Sequence, residues 1–369
     1  MIKEKIQKKI PVTKPFLPPR WEYEALIDGV WDRNWLTNNG QLVQRLEEEL
    51  EYYLDVSHLN FVSNGTIALQ IAIKVLGLEG EIITTPFSYV ATTSSIVWEG
   101  CEPVFVDIDP DTLNINPELI EDAITPNTSA ILATHVFGNP CDIEAIRQIA
   151  DQHDLKVIYD AAHCFGTEYK GESVYNYGDI STASFHATKL FHTVEGGAII
   201  TKDPVLSRKV SRMRNFGHAG PGNFEGLGIN GKNSEFHAAM GLCNLNYIED
   251  VMKRRKVQWK IYEELIDMEN LRGVTLNSDS TFNYAYYPII FESEEITLQV
   301  LESLKKAGVF PRRYFYPSLC ELEYLNTEKP DLSIDISKRI LCLPLYHSLK
   351  GEEQQRVVRM ITKMFKSFD

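Results

Sequence analysis

The spacing of short β-favouring runs over Glu81–Thr84, Val104–Asp107, Ala130–His135, Lys156–Asp160, Ser181–Phe185 and Ala198–Thr201, alternating with helical stretches such as Ile67–Leu76 and Ile143–Asp151, constrains this chain most. Strands joined through helices return in the same direction, so the alternation predicts an α/β fold around a mostly parallel sheet. Such sheets gather their ligands beyond the carboxyl ends of the strands. At 369 residues the chain exceeds the size of one ordinary core, and a second, smaller domain is expected. The tract Glu249–Arg255 predicts the solvated face of a long helix leading into it. The run Tyr284–Phe291 predicts a strand within it, with Pro288 at an edge or a bulge.

The strand ends carry the chemistry. Ser184-Phe185-His186-Ala187-Thr188-Lys189, closed by Glu195-Gly196-Gly197, sets a lysine between a β-run and paired glycines, framed by hydroxyls. That frame suits a Schiff base with an aldehyde cofactor, and pyridoxal 5'-phosphate is the prime candidate. Asp160 closes the run Lys156–Asp160. Alone it reads as a helix cap; with Lys189 following after a second strand, a carboxylate paired to a pyridine nitrogen is the better account. Ser63-Asn64-Gly65-Thr66 precedes an apolar run. Gly65 permits close backbone approach, Thr66 offers a hydroxyl, and a helix N-terminus favours an anion, although a plain helix cap has the same sequence. Tyr89, beyond the strand Glu81–Thr84, is the candidate to stack on a flat ring, or else an ordinary buried aromatic.

These motifs, together with Asp160-Ala161-Ala162-His163 and Gly226-Leu227-Gly228-Ile229-Asn230, resemble in order and spacing the DegT/DnrJ/EryC1 family of nucleotide-sugar aminotransferases. The similarity extends from Trp35-Leu36-Thr37-Asn38-Asn39-Gly40 to Cys342-Leu343-Pro344-Leu345-Tyr346. The resemblance implies fold type I, the aspartate aminotransferase-like class of pyridoxal phosphate enzymes. Its mostly parallel seven-stranded sheet would lie in a large domain, residues 1–245, beside a smaller α+β C-terminal domain, residues 246–369.

It also implies roles. Lys189 binds the cofactor and shuttles a proton, Asp160 pairs with the pyridine nitrogen, and His163 sits near the phenolic oxygen. Ser184 and Thr66 hold the phosphate, which Asn230 of a neighbouring subunit also reaches, so a homodimer with shared sites is expected. His186, Lys232 and Arg313 fall on the substrate side. Lys232 stands where the family usually has arginine, and Arg312-Arg313-Tyr314 replaces a His-Tyr pair common in the family. Lys232 and Arg313 are thus candidate diphosphate ligands, each of which alone reads as a solvated surface charge.

The run His186–Phe191 is similar to the branch aminating C4 of 4-keto-6-deoxy sugars. It implies transfer from L-glutamate to dTDP-4-dehydro-6-deoxyglucose, with C3-directed or UDP- and GDP-linked variants as alternatives. Retention of Lys189 argues against the dehydratases of the family, which carry histidine there. A cofactor-binding regulatory protein without turnover is the competing class.

A net charge of −14 predicts no nonspecific nucleic-acid binding, and local positive charge must draw in an anionic substrate. No run approaches a membrane span, and Met1–Ile6 lacks the apolar core of a signal peptide, so a cytoplasmic protein is expected. The six cysteines are scattered, without a Cys-x-x-Cys pair, and read as reduced thiols. His163, His186 and His192 lack metal-type spacing with further ligands, and no metal is expected.

Overall fold

The computed structural model describes residues 9–268, 271–325 and 327–365. The segment Met1–Ile6, read above for its lack of a signal sequence, lies outside them. A seven-stranded sheet runs in the spatial order Leu59–Val62, Gly197–Ile200, Ile180–Ser184, Lys156–Asp160, Thr128–Thr134, Glu81–Thr84 and Glu102–Phe105. Only Gly197–Ile200 is antiparallel to its neighbours; the remaining pairs are parallel.

Both faces of this sheet are covered, as a parallel sheet requires. Side chains alternate along each strand. Phe61, Ile83, Ile131 and Tyr159 enter one core with the helix Gln41–Leu54. Val62, Ile82, Leu132 and Ile158 enter another with the helix Gly65–Val75. Near-continuous apolar strands follow from burial on both sides, and for that reason the strands lack the two-residue alternation of half-exposed ones.

The strand Leu59–Val62 was absent from the sequence reading, being four residues with a buried asparagine in it. Four other strands begin earlier than their apolar runs: Glu102–Phe105, Thr128–Thr134, Ile180–Ser184 and Gly197–Ile200, the last pairing from Gly197 opposite Ser184.

After the helix Ile248–Leu265 a second core forms around Tyr262, Ile289, Val300, Leu341 and Val357. Its two-stranded ribbon pairs Tyr287–Ile290 with Ile340–Leu343, and the helices Glu294–Lys306 and Gly351–Phe365 pack nearby. Pro288 lies opposite Cys342, whose amide and carbonyl bond to Arg312 on the other side, so the missing N–H of Pro288 breaks no bond of this ladder. The run Tyr284–Phe291 starts as loop because Tyr284 takes a left-handed φ of 55°.

The N-terminal segment joins both parts. Ile10–Pro11 pairs in parallel with Val309–Phe310, and the Leu345 amide donates to the Val12 carbonyl at 3.0 Å. Farther on, Thr13 Oγ1 donates to the Thr188 carbonyl at 3.4 Å, and His192 Nε2 lies 2.7 Å from the Phe16 carbonyl. Among the described residues no helix is long and apolar enough to cross a membrane.

Candidate active site

Chain ends of the sheet strands converge on one cavity of about 440 Å³. Leaving the strand Leu59–Val62, the chain turns through Ser63, whose amide donates to the Gly231 carbonyl at 2.8 Å. Asn64 then caps the helix Gly65–Val75: its Oδ1 accepts from the Ile67 amide at 2.9 Å and its carbonyl from the Ala68 amide at 3.2 Å. A helix start leaves four amides without intrahelical partners. Those of Gly65 and Thr66 are therefore free to bind an anion at the positive end of the helix dipole.

The glycines around this start are dictated by close approach. A Cβ at position 65 would stand 3.0 Å from Cβ of Ser184. One at position 197 would stand 2.6 Å from the Asn64 carbonyl carbon and 2.8 Å from the Gly65 nitrogen. Glu195-Gly196-Gly197 thus lets the antiparallel strand slide against the helix start, bringing Ser184, its pairing partner at Gly197, to the same anion site.

Asp160, the last residue of its strand, is buried. Its Oδ2 accepts from Thr92 Oγ1 at 2.7 Å and its Oδ1 from the Ala162 amide at 3.2 Å. Burial pushes this carboxyl up from its ordinary value, and the Thr92 hydroxyl, the Ala162 amide and the charge of Lys189 pull it back. Ser88 Oγ joins the network, 2.8 Å from Thr92 Oγ1 and 3.0 Å from Thr134 Oγ1.

Lys189 follows the strand Ile180–Ser184 in a tight loop, its amide donating to the His186 carbonyl at 2.9 Å. Its side chain opens partly onto the cavity, yet loss of water lowers its pKa to about 8 despite the opposing pull of Asp160. His163 is buried, and burial, then the Lys189 charge, holds it well below the usual histidine range, so the ring is neutral. Its ring lies parallel to Phe315, 5° between planes, and 4.6 Å from Tyr286. Its Nδ1 is buried with no hydrogen-bond partner.

Tyr89 also lines the cavity, but over half its surface is open to solvent, because it occupies the residue before the helix Val90–Trp98. His186 lines it too; its Nδ1 is 2.7 Å from Thr188 Oγ1 and its Nε2 3.6 Å from Glu195 Oε1. With Gly65, Thr66, Ser184, Asp160, His163 and Lys189, these residues meet in one place although they come from widely separated segments.

Three candidates do not meet there. Asn230 is exposed, its Oδ1 accepting from Lys232 Nζ at 2.6 Å, and that ammonium lies 4.9 Å from the Phe216 ring centre. Arg313 faces away: its guanidinium donates to Glu294 at 2.7 Å and to the Lys338 carbonyl at 2.8 Å. Successive residues of an extended segment point to opposite sides. Arg312 takes the cavity wall instead, with Tyr314 and Phe315.

Arg312, Thr92 and Tyr286 were not singled out from the sequence. Thr92 carried a weak signal, a hydroxyl one helical turn beyond Ser88 at the end of a predicted strand.

The donors present fit pyridoxal 5'-phosphate. Two unpartnered amides with Ser184 suit a phosphate, a buried carboxylate suits a protonated ring nitrogen, and a lysine of lowered pKa suits covalent attachment. The unpartnered Nδ1 of His163 leaves one buried polar position for the ligand to satisfy. Among the described residues no group of three or more His, Cys, Asp or Glu side chains could hold a metal ion.

A profile of the DegT/DnrJ/EryC1/StrS aminotransferase family matches residues 21–362. The dTDP-4-amino-4,6-dideoxy-D-glucose transaminase of Shigella dysenteriae is 42% identical over 366 residues, covering 97% of this chain and 100% of that protein. Its counterpart of the same description in Escherichia coli is 40% identical over 373 residues, 97% of this chain and 98% of that one. Among solved structures, DesI in the presence of its TDP-sugar product is 32% identical with a TM-score of 0.92, covering 97% of this chain and 94% of that chain.

Proposed function

The chain belongs to the DegT/DnrJ/EryC1/StrS aminotransferase family, and from this we propose that it transfers the amino group of L-glutamate to the C4 ketone of dTDP-4-dehydro-6-deoxyglucose, giving dTDP-4-amino-4,6-dideoxyglucose and 2-oxoglutarate. The observation that carries the reaction type is the meeting of Lys189, of lowered pKa, with the buried Asp160 in one cavity beside an unpartnered helix start. The two relatives at 42% and 40% identity support the substrate.

Pyridoxal 5'-phosphate, when bound, supplies an electron sink for the pair left by a departing proton. The chain's own residues do the rest. Gly65 and Thr66 give backbone amides and a hydroxyl to the phosphate, with Ser184 beside them. Asp160, oriented by Thr92, keeps a carboxylate against the ring nitrogen and so favours its protonated form. His163, neutral, has Nδ1 to offer, and Tyr89 contributes a flat face at the mouth. Lys189 would anchor the cofactor and, once freed from it, would take a proton from the reacting carbon as the neutral amine and return one as the ammonium, a task its lowered pKa suits. His186 lies on the substrate side of that lysine.

Asn230 and Lys232 act in the site of a second copy. This reading is supported by their absence from the cavity of their own chain and by the exposure of Phe216, Phe224, Leu227 and Ile229 on the loop before them. Apolar surface of this kind is covered in stable assemblies. We divide the chain into a large unit, 1–245, and a small one, 246–369, at the break between the helices Glu235–Leu245 and Ile248–Leu265.

The test incubates the holoenzyme with glutamate and separately with dTDP-, UDP- and GDP-linked keto sugars, and reads products by mass spectrometry and NMR. The expected product is the dTDP-linked 4-amino sugar. No aminated sugar from any of them would overturn the assignment.

A further inference from the structure

A second cavity, of about 220 Å³, adjoins the one described above, and Tyr286 belongs to the walls of both. Phe137 lines the second cavity and stacks on Phe315 of the first, with 8° between the ring planes, so aromatic rings form the partition. Trp259, Phe282 and Tyr287 supply further walls. The Trp259 ring meets those of Phe282 and Tyr287 at 68° and 66°, with centres 6.1 and 5.1 Å apart, so the three enclose a space as adjoining walls and do not fill it as a flat stack. The tryptophan is fixed from the helix Ile248–Leu265: its Nε1 donates to the Tyr286 carbonyl at 3.1 Å, and one turn earlier Arg255 Nη1 donates to the Ala285 carbonyl at 2.9 Å.

One turn later on the same helix comes Glu263, an exposed residue that also lines the cavity. It is the one charged residue among the described residues of this lining. Asn139, another polar group there, is already engaged, its Nδ2 donating to the Thr275 carbonyl at 3.0 Å and its Oδ1 accepting from the Asn277 amide at 2.8 Å. Among the described residues no Lys, Arg or His nitrogen stands within ion-pair distance of Glu263. Burial raises its pKa, and Lys260 draws it back only from farther away. The Glu263 charge reaches the Tyr287 hydroxyl, where it adds to the rise that burial produces.

An unanswered carboxylate beside aromatic walls repels anions. A cation is attracted both by that charge and by the ring faces, more strongly once it has shed water. A compact ammonium holds its water tightly. An alkylated one gives it up at lower cost and presents apolar groups to the rings. The volume lies below the usual range of about 300–1,000 Å³ for drug-sized ligands, so the guest is small. The net charge of −14 favours its approach.

We propose that this second cavity binds a small alkylated ammonium ion, with its charge against Glu263 and its alkyl groups against Trp259, Phe282 and Tyr287.

Calorimetric titration of the holoenzyme with choline, and separately with its neutral carbon isostere 3,3-dimethylbutan-1-ol, tests it. Choline is expected to bind about three- to thirtyfold tighter than the isostere. Glu263→Gln is expected to weaken choline about threefold or more and to leave the isostere within about twofold. Glu263→Lys, which brings a cation to the rim, should abolish choline binding. Phe282→Leu, which keeps an apolar wall but removes a ring face, should weaken choline more than the isostere, with thermal melting to check that the fold is intact. Equal affinity of the wild type for the two ligands, a choline dissociation constant above about 50 mM, or a choline affinity untouched by Glu263→Gln would overturn the proposal.

Discussion

Thr92 Oγ1 donates to Oδ2 of Asp160 across 2.7 Å of buried space. The hydroxyl comes from the first turn of a helix and the carboxylate from the end of a strand three places into the sheet, so the bond ties two elements at the point where the cofactor nitrogen would be met. It opposes the burial that pushes this carboxyl up and so favours the charged form.

Replacing Thr92 by valine removes that donor and lets the Asp160 carboxyl move farther up. The cofactor dissociation constant, read by absorbance during dialysis, is expected to rise about 10- to 100-fold, since hydrogen bonds to charged groups are worth about 1.5–3 kcal/mol. Thr92→Ser should restore tight binding. Equal retention by Thr92→Val and wild type would show that the bond does not serve the cofactor.

Lys189 gives a pH signature in cofactor-free protein. Its folded pKa of about 8 lies below the ordinary 10.5, so below pH 8 it is charged in both states and the folded state bears the full cost of the buried charge. Between the two values the unfolded chain binds more protons, and stability rises with pH. Cofactor-free Lys189→Met is therefore expected to resist urea better than wild type at about pH 7, with the gap narrowing at about pH 9.5. A gap of constant size would contradict the lowered pKa. The same variant should be unable to transaminate.

Gly65→Val forces a branched side chain against Ser184, where even a Cβ would stand 3.0 Å away. Cofactor retention should fall by about tenfold or more, while the unfolding free energy of the cofactor-free protein in urea falls by only about 1 kcal/mol, a typical single-site effect. Loss of the fold without selective loss of cofactor would mean that the glycine serves packing alone.

Arg214 is a different kind of residue, buried and structural. It donates to the Phe61 carbonyl at 2.7 Å and pairs with Glu47, whose Oε1 also accepts from the Phe61 amide at 2.7 Å. Arg214→Ala leaves the Glu47 carboxylate without its counter-charge and the Phe61 carbonyl without its guanidinium under the sheet edge, and a loss of about 3 kcal/mol in denaturant unfolding is expected. A change below about 0.5 kcal/mol would mean that water replaces the guanidinium freely.

Parallel strands with both faces buried advertise themselves as short apolar runs, and the residue that ends such a run falls at the ligand edge by geometry. Asp160 and Ser184 were legible for that reason, and Lys189 through its frame of hydroxyls and paired glycines. Leu59–Val62 was not, because its pairing depends on an antiparallel partner far along the chain and leaves no local periodicity. The choice between Arg312 and Arg313 was equally invisible. It turns on which side of one extended segment faces the cavity, and that is fixed by pairing with Cys342. Thr92 carried only the weak signal of a hydroxyl near a strand end, because its partner is 68 residues away.

The strap formed by Ile10–Pro11 against Val309–Phe310, continuing through Thr13 to Thr188 and Phe16 to His192, sets an order of assembly. Residues made first cannot dock until nearly the whole chain has left the ribosome, and a contact spanning so much sequence closes late. The strap that touches the Lys189 loop is thus anchored at its far end only once the strand Val309–Phe310 is present, and a chain cut short of that strand would leave the support beside the reactive amine without its anchor.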